Sequence, residues 1–203
     1  MHDYKIVRVS EQGFGLFDRG EVPMIPGHFT NGLLRPLPFG ALVYTGVSVG
    51  TVNVAAKSLV DRPDLAEVAN WDDAVEVSVR SEYGQLNVES YEDGPVDGLP
   101  LLSARGPGWY RIRAHVRHRD RYYDAINADG AENYLLLSWP EGNPSSEVVL
   151  RATDMCGRQL RLTSAYTPEA VSQTPPMARD ETRERTHQAL LDAQKLAPDP
   201  ESQ

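Results

Sequence analysis

Gly108-Trp109-Tyr110-Arg111-Ile112-Arg113-Ala114-His115-Val116-Arg117-His118-Arg119-Asp120 is the stretch that decides how this chain is read. From residue 110 to 117 the side chains alternate. Tyr110, Ile112, Ala114 and Val116 point one way; Arg111, Arg113, His115 and Arg117 point the other. A period of two is the mark of a strand with one apolar face. The apolar face needs a core to cover it, and the rest of the chain reads as the strands that supply one. What the basic face touches is the functional question.

Residues 4–10 read as a first strand, with Val7 and Val9 on one face and Tyr4, Ile6 and Arg8 on the other, and residues 13–17 continue it after a bend. Residues 41–45 and 46–56 are strand-like, and their apolar phase slips at Gly50-Thr51, which marks a bulge or a tight turn. Residues 74–80 and 85–91 alternate on either side of Ser81-Glu82-Tyr83-Gly84 and predict a hairpin. Residues 133–139 are nearly all apolar, as a strand buried on both faces or closing the core would be, and Pro140 is expected to stop it. Residues 147–153 and 159–163 predict a last hairpin around Asp154-Met155-Cys156-Gly157.

The intervening segments are turn-rich, in keeping with 16 glycines and 15 prolines. Residues 18–40 read as a long Gly/Pro loop whose apolar side chains pack across an open end of the sheet. Residues 61–69 read as a loop or a short helical piece, and residues 92–108 as a second Gly/Pro loop. Residues 119–130 are polar and end in the turn signal Asn127-Ala128-Asp129-Gly130. The expected fold is all-β: an antiparallel, jelly-roll-like β-sandwich over residues 1–166, with a C-terminal helical tail. That tail divides into a Pro-rich linker (167–177), a helix (178–196) with a narrow apolar stripe, and a disordered end (197–203).

The 203 residues carry a net charge of −9, which argues against general nucleic-acid binding. The basic stretch is therefore an exception within an acidic chain. Either neighbouring acids such as Glu76 and Glu89 neutralise it across the sheet, or it is a docking face. On the second reading the partner-binding residues are Trp109, Arg111, Arg113, His115, Arg117 and Arg119. Cys156 is the only cysteine, so no intrachain disulfide forms. The first residues lack the pattern of a signal peptide, no run approaches the ~18 apolar residues of a membrane helix, and the cytoplasm is the expected compartment.

Several patterns suggest chemistry and weaken under inspection. His115, His118 and Asp120 resemble a metal triad, but odd spacing puts the two histidines on opposite faces of a strand, and the adjacent arginines repel a cation. His118-Arg119-Asp120 resembles a kinase catalytic loop, yet Ala125 stands where that loop needs Asn, and no Asp-Phe-Gly is present. Asp124, Asn127, Asp129 and Glu132 surround a turn, but a calcium loop counted from Gly130 would start at Ala125 and end at Leu136. The Gly-x-Ser-x-Gly of a serine hydrolase is missing, and Cys156 reads as an ordinary half-buried thiol. Glu76, Glu82, Glu89 and Glu132 could supply a carboxylate pair for glycoside chemistry. Trp71, Trp109 and Trp139 could form a sugar platform, with packing in the core or at its rim the simpler reading. No catalytic residue, cofactor or metal ligand is assigned.

Three segments carry a resemblance: Trp71-Asp72-Asp73-Ala74-Val75-Glu76-Val77-Ser78-Val79, Gly106-Pro107-Gly108-Trp109-Tyr110-Arg111-Ile112-Arg113-Ala114-His115, and Glu132-Asn133-Tyr134-Leu135-Leu136-Leu137-Ser138-Trp139-Pro140. In this order they resemble a family of uncharacterised actinobacterial β-sandwich proteins with a Trp-Asp hairpin, a Gly-Trp-Tyr-Arg strand and an apolar strand ending in Trp-Pro. The likeness spans roughly residues 41–165 and implies one β domain with no catalytic residues attached to it. A more distant likeness is to the competence-type inhibitors of secreted nucleases, which are also small acidic β proteins. The expectation is a non-enzymatic, protein-binding β-sandwich, of which one version is an immunity or inhibitor protein against a basic toxin or nuclease. The alternatives are an assembly protein that oligomerises or docks through the basic strand and C-terminal helix, and a carbohydrate-binding or glycoside-processing sandwich.

Overall fold

A computed structural model describes residues 2–20 and 27–166. The chain divides into two compact units, residues 1–166 and 167–203. The expected linker, C-terminal helix and disordered end (167–177, 178–196 and 197–203) therefore lie outside the described residues. Eleven strands are described: β1 (Lys5–Val9), β2 (Gly13–Asp18), β3 (Leu34–Pro36), β4 (Ala41–Tyr44), β5 (Val49–Ser58), β6 (Asp73–Ser81), β7 (Leu86–Ser90), β8 (Gly94–Pro95), β9 (Gly108–Arg117), β10 (Ile126–Glu141) and β11 (Val148–Ala152). One helix follows, α1 (Met155–Tyr166). The strands form a six-stranded sheet in the order β1-β5-β10-β9-β6-β11 and a five-stranded sheet in the order β3-β4-β2-β7-β8.

The apolar face of β9 finds the core its alternation requires. Tyr110, Ile112, Ala114 and Val116 share one buried cluster with Val75, Val77 and Val79 of β6 and with Tyr134 and Leu136 of β10. The same cluster takes in Phe14 and Leu16 of β2, Val43 of β4, and Leu86 and Val88 of β7 from the other sheet. Each fully buried Val, Leu, Ile or Phe among them contributes about 1.5–3 kcal/mol. Val7 and Val9 of β1 belong to it too, on the face their spacing assigns.

Several expectations are corrected. Residues 13–17 do not continue the first strand, because β1 and β2 lie in different sheets. Residues 74–80 and 85–91 are not a hairpin, because β6 and β7 lie in different sheets. Asp18 at the end of β2 accepts hydrogen bonds from the Tyr83 N–H (2.6 Å) and the Gln85 N–H (2.8 Å). The corner at Ser81–Gly84 is thereby tied to β2, which then pairs with β7. Gly84 sits at φ +72 there, a left-handed conformation that glycine adopts without strain.

Pairing is also not wholly antiparallel. β10 runs parallel to β5, with β6 to β9 in the intervening chain giving the long crossover a parallel pair needs. The irregularity expected near Gly50 is present, but the extra residue is Asn127 of β10, at φ +62, since Ile126 faces Val49 and Ala128 faces Gly50. Pro140 does not end β10, which continues to Glu141 opposite Trp109. Pairing with β5 has already stopped at Ser138, so the missing N–H of Pro140 removes no bond on that side.

The last predicted hairpin is a strand followed by a helix. β11 pairs with β6, and residues 159–163 fall within α1. The helix start is capped twice. Asp120 accepts from the N–H groups of Met155 (2.9 Å) and Cys156 (3.0 Å), and Asp154 accepts from the N–H of Gly157 (2.6 Å). These bonds satisfy donors that have no intrahelical partner.

Candidate functional site

The basic face of β9 lies on the outer side of the six-stranded sheet, yet most of it is hidden. Arg111, Arg113 and His115 are 5%, 1% and 0% exposed. Glu76 of β6 stands directly opposite Arg113 in register, and the Arg113 Nε–H donates to it at 2.8 Å. Arg113 also donates to the backbone carbonyls of Pro63 and Asp64, in the segment that joins β5 to β6. Arg111 lies 3.6 Å from Glu76 and donates to the Ser78 hydroxyl and the carbonyls of Ser145 and Ser146. Arg62 reaches Glu76 from outside at 3.0 Å. One buried carboxylate thus answers three guanidinium groups, and two connecting segments cover the row.

The residues of the expected docking set are placed in different surroundings. Arg111 and Arg113 are already bonded and are not presented to solvent. Glu89 takes no part, because it sits on β7 in the other sheet, where burial raises its pKa. Trp109 is half-buried with the Arg80 guanidinium 5.8 Å from its ring. Arg119 lies beyond the strand, fully buried, donating to Asp154 at 2.7 and 2.9 Å and to the Gly32 carbonyl at 2.9 Å. Asp73 joins that group through Arg119 (3.4 Å) and Arg161 (2.9 Å). Arg119 therefore anchors α1 and does not extend the row.

His115 and Arg117 behave differently from the two arginines before them. His115 Nδ1 lies 3.1 Å from the Leu135 carbonyl oxygen. A carbonyl only accepts, so Nδ1 carries the proton and Nε2 presents a lone pair. Burial pushes the His115 pKa down to about 4, which keeps the ring neutral. The indole of Trp71 packs 5.4 Å from the His115 ring, and the Arg117 guanidinium lies 5.2 Å from the Trp71 centroid. His2 lies 6.1 Å from Trp71 and 6.0 Å from Tyr4, and its Nε2 is 3.7 Å from Glu67. Around this indole, four buried atoms have no hydrogen-bond partner among the described residues: His2 Nδ1, Tyr4 Oη, His115 Nε2 and Arg117 Nε. Burial raises the Tyr4 pKa, and Arg117 is close enough to oppose that rise.

A cleft of about 280 Å³ adjoins the cluster, lined by Lys57, Leu59, Pro63, Asp64, Glu67, Arg113 and Leu137. Glu67 belongs to both, since it lines the cleft and faces His2. The sequence singled out His115 and Arg117 here but not His2, Tyr4, Lys57 or Glu67. One signal was available: by spacing Tyr4 falls on the face opposite Val7 and Val9, and it packs against the cluster that holds Trp71, Ala55 and Leu135.

The other sequence candidates separate. Glu132 accepts from the N–H groups of Gly46 (3.1 Å) and Val47 (2.6 Å) and from the Tyr134 hydroxyl. Glu82 is exposed and pairs with Arg80. With Glu76 and Glu89 placed as above, the four carboxylates occupy four different surroundings. Trp71 and Trp139 are buried beneath Arg117 and Arg113 and offer no open platform. Burial pushes the Cys156 thiol up to about 12. Among the described residues no group of three or more His, Cys, Asp or Glu is placed to hold a metal ion, and no helix is long and apolar enough to cross a membrane. No family model, no curated protein and no solved structure matches the chain.

Proposed function

We propose that the chain is a non-enzymatic β-sandwich, jelly-roll-like in its two-sheet arrangement, that binds a protein partner of basic character. An immunity or inhibitor protein meeting a basic toxin or nuclease is the form of this role that fits best. The supporting observation is where the charges sit. Arg111, Arg113 and Arg119 are held inside the fold, and exposed Asp and Glu outnumber exposed Lys and Arg among the described residues. The exterior therefore attracts cations although the sequence contains a dense basic run. Such a surface speeds encounter with a basic partner and repels an acidic one. Glu76, Glu132 and Cys156 add support, because each is engaged or neutral within the scaffold.

The test is affinity capture from the native host, followed by association rates for the purified pair across a range of salt. A basic partner whose association rate falls steeply with salt is expected. A captured partner that is acidic, or a rate that does not change with salt, contradicts the proposal.

A further inference from the structure

We propose that the outer-face cluster of Tyr4, Lys57, His115 and Arg117, gathered around Trp71 and His2, binds a small oxyanion carrying its own O–H or N–H donor. A hydroxycarboxylate and a hydrogen phosphate group share this chemistry. The site does not depend on the protein-binding role. Buried polar atoms are nearly always bonded, and leaving one unbonded is costly. Here three such atoms belong to His2, His115 and Arg117, which pack around the Trp71 indole, and the fourth to Tyr4 beside His2, and together they point to a guest that matches them.

Their chemistry defines the guest. Arg117 Nε–H can only donate, and the Tyr4 hydroxyl can donate as well. Arg117 and Lys57 form no ion pair with a described carboxylate, unlike Arg62, Arg111 and Arg113, which share Glu76. These groups call for an anionic acceptor. His115 Nε2 sets the opposite requirement. Its lone pair is fixed by the Nδ1 bond to Leu135, so it needs a donor from the guest. A bare carboxylate or halide lacks one. Glu67 and Asp64, which both line the cleft, disfavour a dianion. The adjoining cleft of about 280 Å³, with Leu59, Pro63 and Leu137 in its walls, accepts a short apolar portion of the same molecule.

The experiment is NMR of the full-length protein, following the His115 ring nitrogens and the Trp71 indole N–H. Sodium lactate and sodium phosphate are titrated against sodium acetate and sodium chloride at matched ionic strength. Lactate or phosphate is expected to move both signals saturably, with acetate and chloride far weaker. A response to lactate alone assigns the hydroxycarboxylate source, and a response to phosphate alone assigns the phosphate source. Arg117→Gln and Tyr4→Phe should each weaken binding roughly tenfold, the loss of a hydrogen bond to a charged group. Lys57→Gln, at an exposed position, gives the same direction of change without touching the packing. No saturable shift, an equal response to acetate or chloride, or unchanged affinity in both Arg117→Gln and Lys57→Gln overturns the proposal.

Discussion

Replacing Glu76 by alanine should destabilise the fold by about 3 kcal/mol. Glu76 and Arg113 are both almost completely buried, and their side chains meet at 2.8 Å. Removing one partner of a buried ion pair strands the other charge and costs about 3–5 kcal/mol. The lower end applies here, because Arg113 keeps its bonds to the Pro63 and Asp64 carbonyls. Arg62 adds little, since its side chain is 57% exposed and such pairs contribute about 0–1 kcal/mol. Arg113→Met in the same background removes the stranded charge, so the double variant should lose less than the two single losses added together, by about 1–3 kcal/mol. Urea unfolding of the four proteins, followed by circular dichroism, measures every corner of the cycle. A loss below about 1 kcal/mol for Glu76→Ala, or strict additivity, would show that the row is not neutralised by this carboxylate.

Other outcomes follow from the same geometry. Asp120→Ala removes the acceptor for the N–H groups of Met155 and Cys156 and should cost about 1 kcal/mol in the same unfolding assay. The folded pKa of His115 is depressed to about 4, so the unfolded chain takes up that proton first as pH falls below 6.5. Stability from this group is therefore present at neutral pH and lost between about 6.5 and 4, by up to about 3 kcal/mol. His115→Gln should flatten that part of a pH–stability curve. Gly46→Ala would drive a methyl group into the backbone oxygen of Arg119, and a fall in melting temperature equivalent to about 1–3 kcal/mol is expected. Cys156 should react with a thiol reagent at the rate of global opening and much faster in denaturant, given its burial and raised pKa.

The parts of the fold legible in the sequence were those set by local alternation. The two faces of β9 and the faces of β1 follow from period-two patterns, and the centre of β10 from its continuous apolar run. Contacts distant in sequence set the rest. Nothing in residues 81–84 reveals that Asp18, more than sixty residues earlier, holds their amides and turns an apparent hairpin into a corner between sheets. Residues 155–166 carry a weak helical pattern, and their helix depends on Asp120 and on the buried group formed by Arg119, Asp73 and Asp154. The basic row was readable as a row, and Glu76 was a named candidate for neutralising it. That the β5–β6 connection and residues 145–146 would cap Arg111 and Arg113 with carbonyl groups was not readable, since any loop residue offers a carbonyl. Trp71 shows the same limit: its contact with both His115 and Arg117 depends on how the preceding segment folds over the sheet.

The claim that Arg111 and Arg113 are held inside the protein is open to direct measurement through their side-chain Nε–H protons. In ¹⁵N-labelled protein at neutral pH, both should give resolved signals that exchange slowly with water, the Arg113 signal should disperse on replacement of Glu76, and neither should respond to a saturating protein partner. Rapid exchange at both positions, or a shift of both signals when a partner binds, would place the basic row on the surface and contradict the account.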